Sequence, residues 1–219
     1  MRHGDRPSLR RRLTGLFSVR NRIAKVVLAL VGIRPLLAKR PANAYPYSAL
    51  EMLRLYTDMR RRKPDTVMEF GVGASTITIA VALQKNGHGR LITVDGSEEW
   101  IAVCRDSLPE SLSRYVEFVY SPVEQIEGEH AHRYPRRPDV NLDYLFIDGP
   151  SVQHIPGWQG PPIAADPVLP GMKFNRGARI MVEGRRPNVQ FLKERLDPVW
   201  QMKRDRFIAL SWTMFDLRS

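Results

Sequence analysis

Three scarcities bound what this 219-residue chain can be. It has one cysteine, Cys104, so no internal disulfide can staple the fold, and a packed core in a reducing compartment is expected. The lone thiol reads as a small apolar residue on a helix, not as a nucleophile. No long hydrophobic run is present: the most apolar stretch, Val26 to Ile33, is far shorter than the roughly 20 residues needed to cross a bilayer. Acid is scarce where base is plentiful. Residues 1–40 hold 11 Lys/Arg and one Asp, a net of +10, and the remainder holds 34 − 11 = 23 basic against 23 − 1 = 22 acidic residues, a net of +1. The overall +11 therefore belongs to an N-terminal arm, the rest is nearly neutral, and a nucleic-acid partner is not expected.

A hydrophobic content of 43% is enough for one α/β domain over residues 41–219 behind that arm. The domain is organised around Val67 to Thr76. A β-rich run, Thr66 to Phe70, breaks at Gly71 and Gly73, then passes through Ser75 and Thr76 into a helical pattern. Gly71 permits a tight turn, Gly73 lets a ligand approach the backbone, and the amides of a helix start attract a negative group. A third glycine is missing from the spacing. Glu69 stands two residues before Gly71, where a dinucleotide's pyrophosphate would be repelled and a cation welcomed. A second apolar run, Leu91 to Val94, ends in Asp95, placed to hold two ribose hydroxyls. A ligand with an ammonium, a carboxylate and a ribose but no phosphate satisfies all three features, and S-adenosylmethionine is such a ligand.

With Asp148 in Leu145-Phe146-Ile147-Asp148-Gly149-Pro150, these motifs resemble the nucleotide-fold S-adenosylmethionine-dependent methyltransferases, and within them a small-molecule O-methyltransferase-like branch. The resemblance runs from about Tyr45 to Leu196. It implies a doubly wound, mostly parallel seven-stranded sheet with helices on both faces and an antiparallel C-terminal strand pair. It also implies that Gly96, Ser97 and Trp100, just past the acid, border the adenine; by position alone, Ser121 or Glu124 after the third strand could reach its edge. Asp148 would orient the reacting groups. His154, six residues on, is the candidate base for an oxygen acceptor. Metal-using relatives hold a divalent ion between acids at the ends of strands four and five. Asp148 and Glu183 occupy such places, but Gly184 replaces a further ligand, which argues against a metal.

The rest of the chain fills in around that site. Leu9, Leu13, Leu16 and Phe17 alternate with arginines, an amphipathic helical pattern that would lie on an anionic membrane surface or pack on its own domain or a partner. Ala42-Asn43-Ala44 resembles a signal cleavage site, but Arg34, Lys39 and Arg40 intervene, so a cytoplasmic protein is expected, peripheral on the inner face of the membrane if the arm takes the lipid reading. Ser48-x-x-Glu51 reads as a capping box. His130 and His132 fall in a loop expected on the face away from the site. The Pro/Gly-rich segment 149–171 is expected to cover substrate, with Trp158 a stacking wall, and Arg185 and Arg186 would bind an acidic acceptor such as a glycan or lipid-linked group. Two rivals remain: an NAD-type oxidoreductase, opposed by Glu69 and the missing glycine, and a non-catalytic membrane or assembly module that keeps the cofactor fold.

Overall fold

The computed structural model describes residues 9–151, 153, 155, 157, 158, 160, 162–204 and 212–218, with the side chains of the first helix described from residue 19. The chain opens with helices α1 (Leu9–Leu30), α2 (Ile33–Leu37) and α3 (Ala49–Arg62). It then alternates through β1 (Thr66–Phe70), α4 (Ala74–Asn86), β2 (Arg90–Asp95), α5 (Glu98–Ser107), the single turn α6 (Glu110–Ser113) and β3 (Val116–Tyr120). Two short strands, β4 (Glu124–Gln125) and β5 (His132–Arg133), precede β6 (Asn141–Ile147). The chain closes with β7 (Lys173–Val182), α7 (Arg186–Arg195), β8 (Trp200–Arg204) and β9 (Thr213–Leu217). Seven strands form one sheet in the order β3-β2-β1-β6-β7-β9-β8, parallel except for β9, which runs antiparallel to both neighbours. This is the doubly wound sheet with an antiparallel C-terminal pair that the motifs imply.

The strands at the centre are near-continuous apolar runs because both sheet faces are covered. Side chains alternate across the sheet, so Met68 and Phe70 enter one layer of the core and Val67 the other. On the second face α3 buries Leu55 and Met59, and α4 buries Ile79, Ala82 and Leu83. Ser48 caps α3 as its motif requires, its hydroxyl accepting from the Glu51 N–H at 3.4 Å. The second half of α1 and all of α2 join the same layer: Ala24, Leu28, Ile33 and Leu37 are buried with Met52 of α3 and Ile77, Ala80 and Val81 of α4.

The first face is less helical than expected. Phe191 and Leu192 of α7 share it with Ala131, Tyr134, Ala164 and Ala165, all from irregular segments. The link from β3 to β6 is the antiparallel β4/β5 pair, with Glu124 opposite Arg133, in place of a helix. That link lies under the ligand edge, not away from it. Tyr134 stacks at 4.9 Å on Phe70, the last residue of β1. The cause is topological: β3 ends at the C-terminal edge and the chain must recross the sheet to start β6. Asp166 fixes the crossing, accepting from the Tyr134 N–H at 3.2 Å and the Arg137 guanidinium at 2.8 Å.

At the opposite end a buried ion cluster ties α3 to the C-terminal strands. Arg179 donates to both oxygens of Asp58 at 2.9 Å and to Asp216 at 2.6 and 2.9 Å, while Tyr144 donates its hydroxyl to Asp58 at 2.8 Å. Arg62, from the basic run that closes α3, reaches Asp216 at 3.0 Å.

Candidate active site

The site begins where β1 and β6 end side by side. Gly71 has φ of +98°, and a Cβ there would stand 2.9 Å from the Gly149 nitrogen. A Cβ on Gly149 would in turn meet the Tyr134 hydroxyl at 2.6 Å and Phe70 backbone at 2.9 Å. Two bare residues therefore let the ends of β1 and β6 touch, locked by Asp148 N–H to Phe70 O at 3.0 Å, while Gly71 N–H to Val94 O, also 3.0 Å, ties the bend to β2. Gly73 differs. Its backbone is extended, and a Cβ on it would meet no protein atom within 4 Å, because it borders open cavity.

Behind this bend lies Glu69, fully buried. Its Oε2 accepts from Thr76 at 2.6 Å and Thr93 at 2.8 Å, and the Thr76 hydroxyl in turn accepts from the Gly73 N–H at 2.9 Å. Its Oε1 is buried with no hydrogen-bond partner. Burial pushes the carboxyl up to about 7, against the pull of Ser75, Thr76 and Thr93. A buried carboxyl with a free oxygen is a receptor for a cation or a donor.

Asp95, at the tip of β2, is also buried and accepts from two backbone amides: Val72 N–H at 2.8 Å to Oδ2 and Ser97 N–H at 2.8 Å to Oδ1. These bonds fix the carboxylate across the glycine bend. Ser97 spends its hydroxyl on the Trp100 N–H, capping α5 at 3.1 Å. Asp95, Trp100, Val103 and Cys104 form one wall of a cavity of about 430 Å³, whose floor is Gly71 to Ser75. The volume lies within the range of small-ligand pockets.

The opposite wall carries a second group of charges. Asp148 opens 48% of its side chain to this recess, and partial desolvation there, opposed by Arg185, raises its carboxyl to about 6. Glu183, at the end of β7, is pushed up to about 10 by burial, by Asp148 and by Glu51, with which it shares a hydrogen bond. Arg185 donates to the carbonyls of Asp148 and Pro150 and lies 3.8 Å from the Asp148 carboxylate. The linker after α2 closes this wing: Arg40 donates to Tyr45 O at 3.0 Å, and Tyr45 accepts from Gln153 at 2.6 Å.

Of the residues that sequence singles out, Gly71, Gly73, Ser75, Asp95, Trp100, Asp148 and Arg185 line this one cavity, with Glu69 and Thr76 directly behind it. Gly96 and Ser97 lie in the turn that holds Asp95. Ser121 is buried and accepts from the Arg136 N–H at 3.0 Å, anchoring the crossing segment. Trp158 is not on the cavity wall: its ring meets the His132 ring edge-on at 4.4 Å. Arg186 is exposed at the start of α7. His154 lies outside the described residues. Arg40, Tyr45, Tyr47 and Glu51 carry no local sequence signal of a place at this site, because only the packing of α1 and α2 brings the linker to it. Among the described residues no cluster of three or more His, Cys, Asp or Glu is arranged to hold a metal ion.

Comparison with known proteins agrees with this geometry. Residues 68–156 match the family described as a methyltransferase domain. The fold is similar to the SAH-bound Podospora anserina methyltransferase PaMTH1, with a TM-score of 0.58 at 14% identity over 100% of both chains. It is also similar to the SAH-bound O-methyltransferase from Bacillus cereus, with a TM-score of 0.56 at 15% identity over 92% of this chain and 99% of that one. A third is TomG, the O-methyltransferase of tomaymycin synthesis from Streptomyces achromogenes, solved with SAM, with a TM-score of 0.52 at 16% identity over 80% and 82% of the two chains. At such identities the structural likeness is one of fold. None of the curated proteins compared matches the chain. Fold and cavity together define a Rossmann-like domain with a small-ligand pocket at the carboxyl ends of its parallel strands, and the methyltransferase-domain match falls on the stretch that builds that pocket. The matched stretch, residues 68–156, carries Glu69, Asp95 and Asp148.

Proposed function

We propose that this chain is an S-adenosylmethionine-dependent methyltransferase that methylates a hydroxyl oxygen of a small molecule, with Asp148 taking the proton. The observation that carries the proposal is the split of the cavity: Asp95 lines the bend side, with the buried free oxygen of Glu69 directly behind it, and a carboxyl raised to about 6 lies across from them at the end of β6. Glu69 and Asp95 suit an ammonium and a ribose diol respectively, and the bare edge of Gly73 admits the ligand backbone. When bound, S-adenosylmethionine supplies a methyl on a positively charged sulfur, open to in-line attack.

The chain's own residues then have three tasks. The cavity walls align acceptor and donor and keep water out. Asp148 accepts the proton that the acceptor hydroxyl loses as its oxygen gains the methyl. Arg185 holds Asp148 in place through its backbone carbonyl and carboxylate. Arg40 and Arg185 on this wing suit an acceptor that carries a carboxylate or phosphate, and the O-methyltransferases among the similar structures support an oxygen acceptor.

Calorimetry with S-adenosylmethionine tests the cofactor half. Asp95→Ala should weaken binding about 10- to 100-fold, the scale of lost hydrogen bonds to a charged group, and unchanged affinity would remove Asp95 from the site. Release of S-adenosylhomocysteine across a panel of hydroxyl and amine acceptors tests the chemical half. Turnover confined to amines would overturn the oxygen assignment, and tight cofactor binding with no turnover on any acceptor would favour a non-catalytic module. For an active acceptor, turnover should fall as pH drops through about 6 and level off above it, because the base must be unprotonated. Asp148→Asn should cut turnover by about 10²- to 10⁴-fold while leaving cofactor affinity within a few fold.

A further inference from the structure

Helix α1 has two apolar faces, and the fold uses one. Ala24 and Leu28 are buried against α3 and α4. Val19, Ile23, Val26 and Leu30 follow the 4-3-4 spacing of a single helical stripe on the opposite side. Their exposures are 54%, 56%, 57% and 82%, half of the large exposed apolar residues described in the whole chain. Four such residues in one line are a docking surface, not scattered surface apolars.

What covers the stripe is set by its charge. From Arg6 to Leu50 the sequence contains no Asp or Glu, and Arg6, Arg10, Arg11, Arg12, Arg20, Arg22, Lys25, Arg34, Lys39 and Arg40 all fall in that span. Arg22 and Lys25 are exposed beside the stripe. A second copy of the chain would bring an equally basic arm against this one, with no acidic residue in the span to answer it. Among the described residues no helix is long and apolar enough to cross a membrane.

We propose that α1 lies in the interface of an anionic lipid bilayer, with Val19, Ile23, Val26 and Leu30 in the acyl boundary and the flanking arginines and lysines on the headgroups. Both signals are needed, since a four-residue apolar stripe alone holds a surface weakly and reversibly, and basic residues alone are screened by salt. The docking is independent of the methyl-transfer chemistry, because no stripe residue lines the cavity.

The test is vesicle co-sedimentation of the full chain. It should pellet with vesicles of phosphatidylcholine and phosphatidylglycerol at physiological salt, stay in solution with pure phosphatidylcholine, and be released as salt is raised. Replacing Val26→Ser with Leu30→Ser should reduce partitioning about tenfold or more, as should Arg22→Glu with Lys25→Glu. S-adenosylmethionine affinity, read on the same variants, should stay unchanged and certifies that each is folded. Equal sedimentation with neutral and anionic vesicles, or none with either, overturns the proposal. So does a dimer, seen by light scattering without lipid, that the serine pair converts to monomer.

Discussion

Glu69 and Glu183 are both carboxyls raised by burial, and each predicts a pH dependence of its own. The Glu69 carboxyl, at about 7, is partly protonated at neutral pH, and a cation against its free oxygen would lower that value. Cofactor binding should therefore release a proton, and affinity should rise with pH through about 7 and flatten above it. Calorimetry in two buffers of different ionisation enthalpy reads the proton directly, and Glu69→Gln should abolish it. Glu183 bears on stability. Its folded pKa of about 10 lies above the ordinary value of 4.5, so the native chain keeps a proton that the unfolded chain releases, and stability falls as pH rises between those values. Glu183→Gln should flatten that slope, measured as denaturant midpoints at pH 5 and pH 9. Glu69 and Asp95 were legible in the sequence because strand, turn and helix spacing fixes them relative to the glycines. Ser121 and Trp158 were placed at the right edge of the sheet but not in the right contacts. A buried hydroxyl takes the nearest amide, here that of Arg136, and an indole finds flat partners, here His132, choices that no local pattern encodes.

At the scale of elements, the glycine bend, the five parallel strands, α7 and the terminal pair could be read from hydrophobic period and turn residues. The crossing from β3 to β6 could not, because a two-residue strand pair held by Asp166 has no periodic signature. The ion cluster under α3 was equally silent, since Asp58, Arg179 and Asp216 are distant in sequence. Removing one partner from such a buried group leaves charge uncompensated, so Asp58→Ala should cost about 3–5 kcal/mol of stability by denaturant unfolding. S-adenosylmethionine affinity should be untouched, because the cluster and the cavity lie at opposite ends of the sheet. Acid should loosen the same joint. Asp216 is held down at about 2, chiefly by Arg179 and Lys203 acting against its desolvation, so its contribution is complete above about 4 and fades as pH drops through 2.

For the molecule as a whole, a ligand that binds only the native state raises its melting temperature by mass action. S-adenosylmethionine at about 100 times its Kd should add about 2.7 kcal/mol, a rise of roughly 5–10 °C for a domain of this size. Asp95→Ala should lose that rise at the same concentration, and differential scanning fluorimetry suffices to see it. The division of charge between arm and remainder was plain from composition, but not the way the arm is woven in. Leu28, Ile33 and Leu37 are core residues, and the chain leaves them directly for Arg40 and Tyr45 on the cavity wall. From Ala24 onward the basic arm is thus part of the core. Removing residues 1–40 would pull bricks from the hydrophobic interior and a post from the doorway of the pocket at once, so a truncated chain that has gone silent says nothing about lipid. Point changes on the outward stripe are the cleaner instrument.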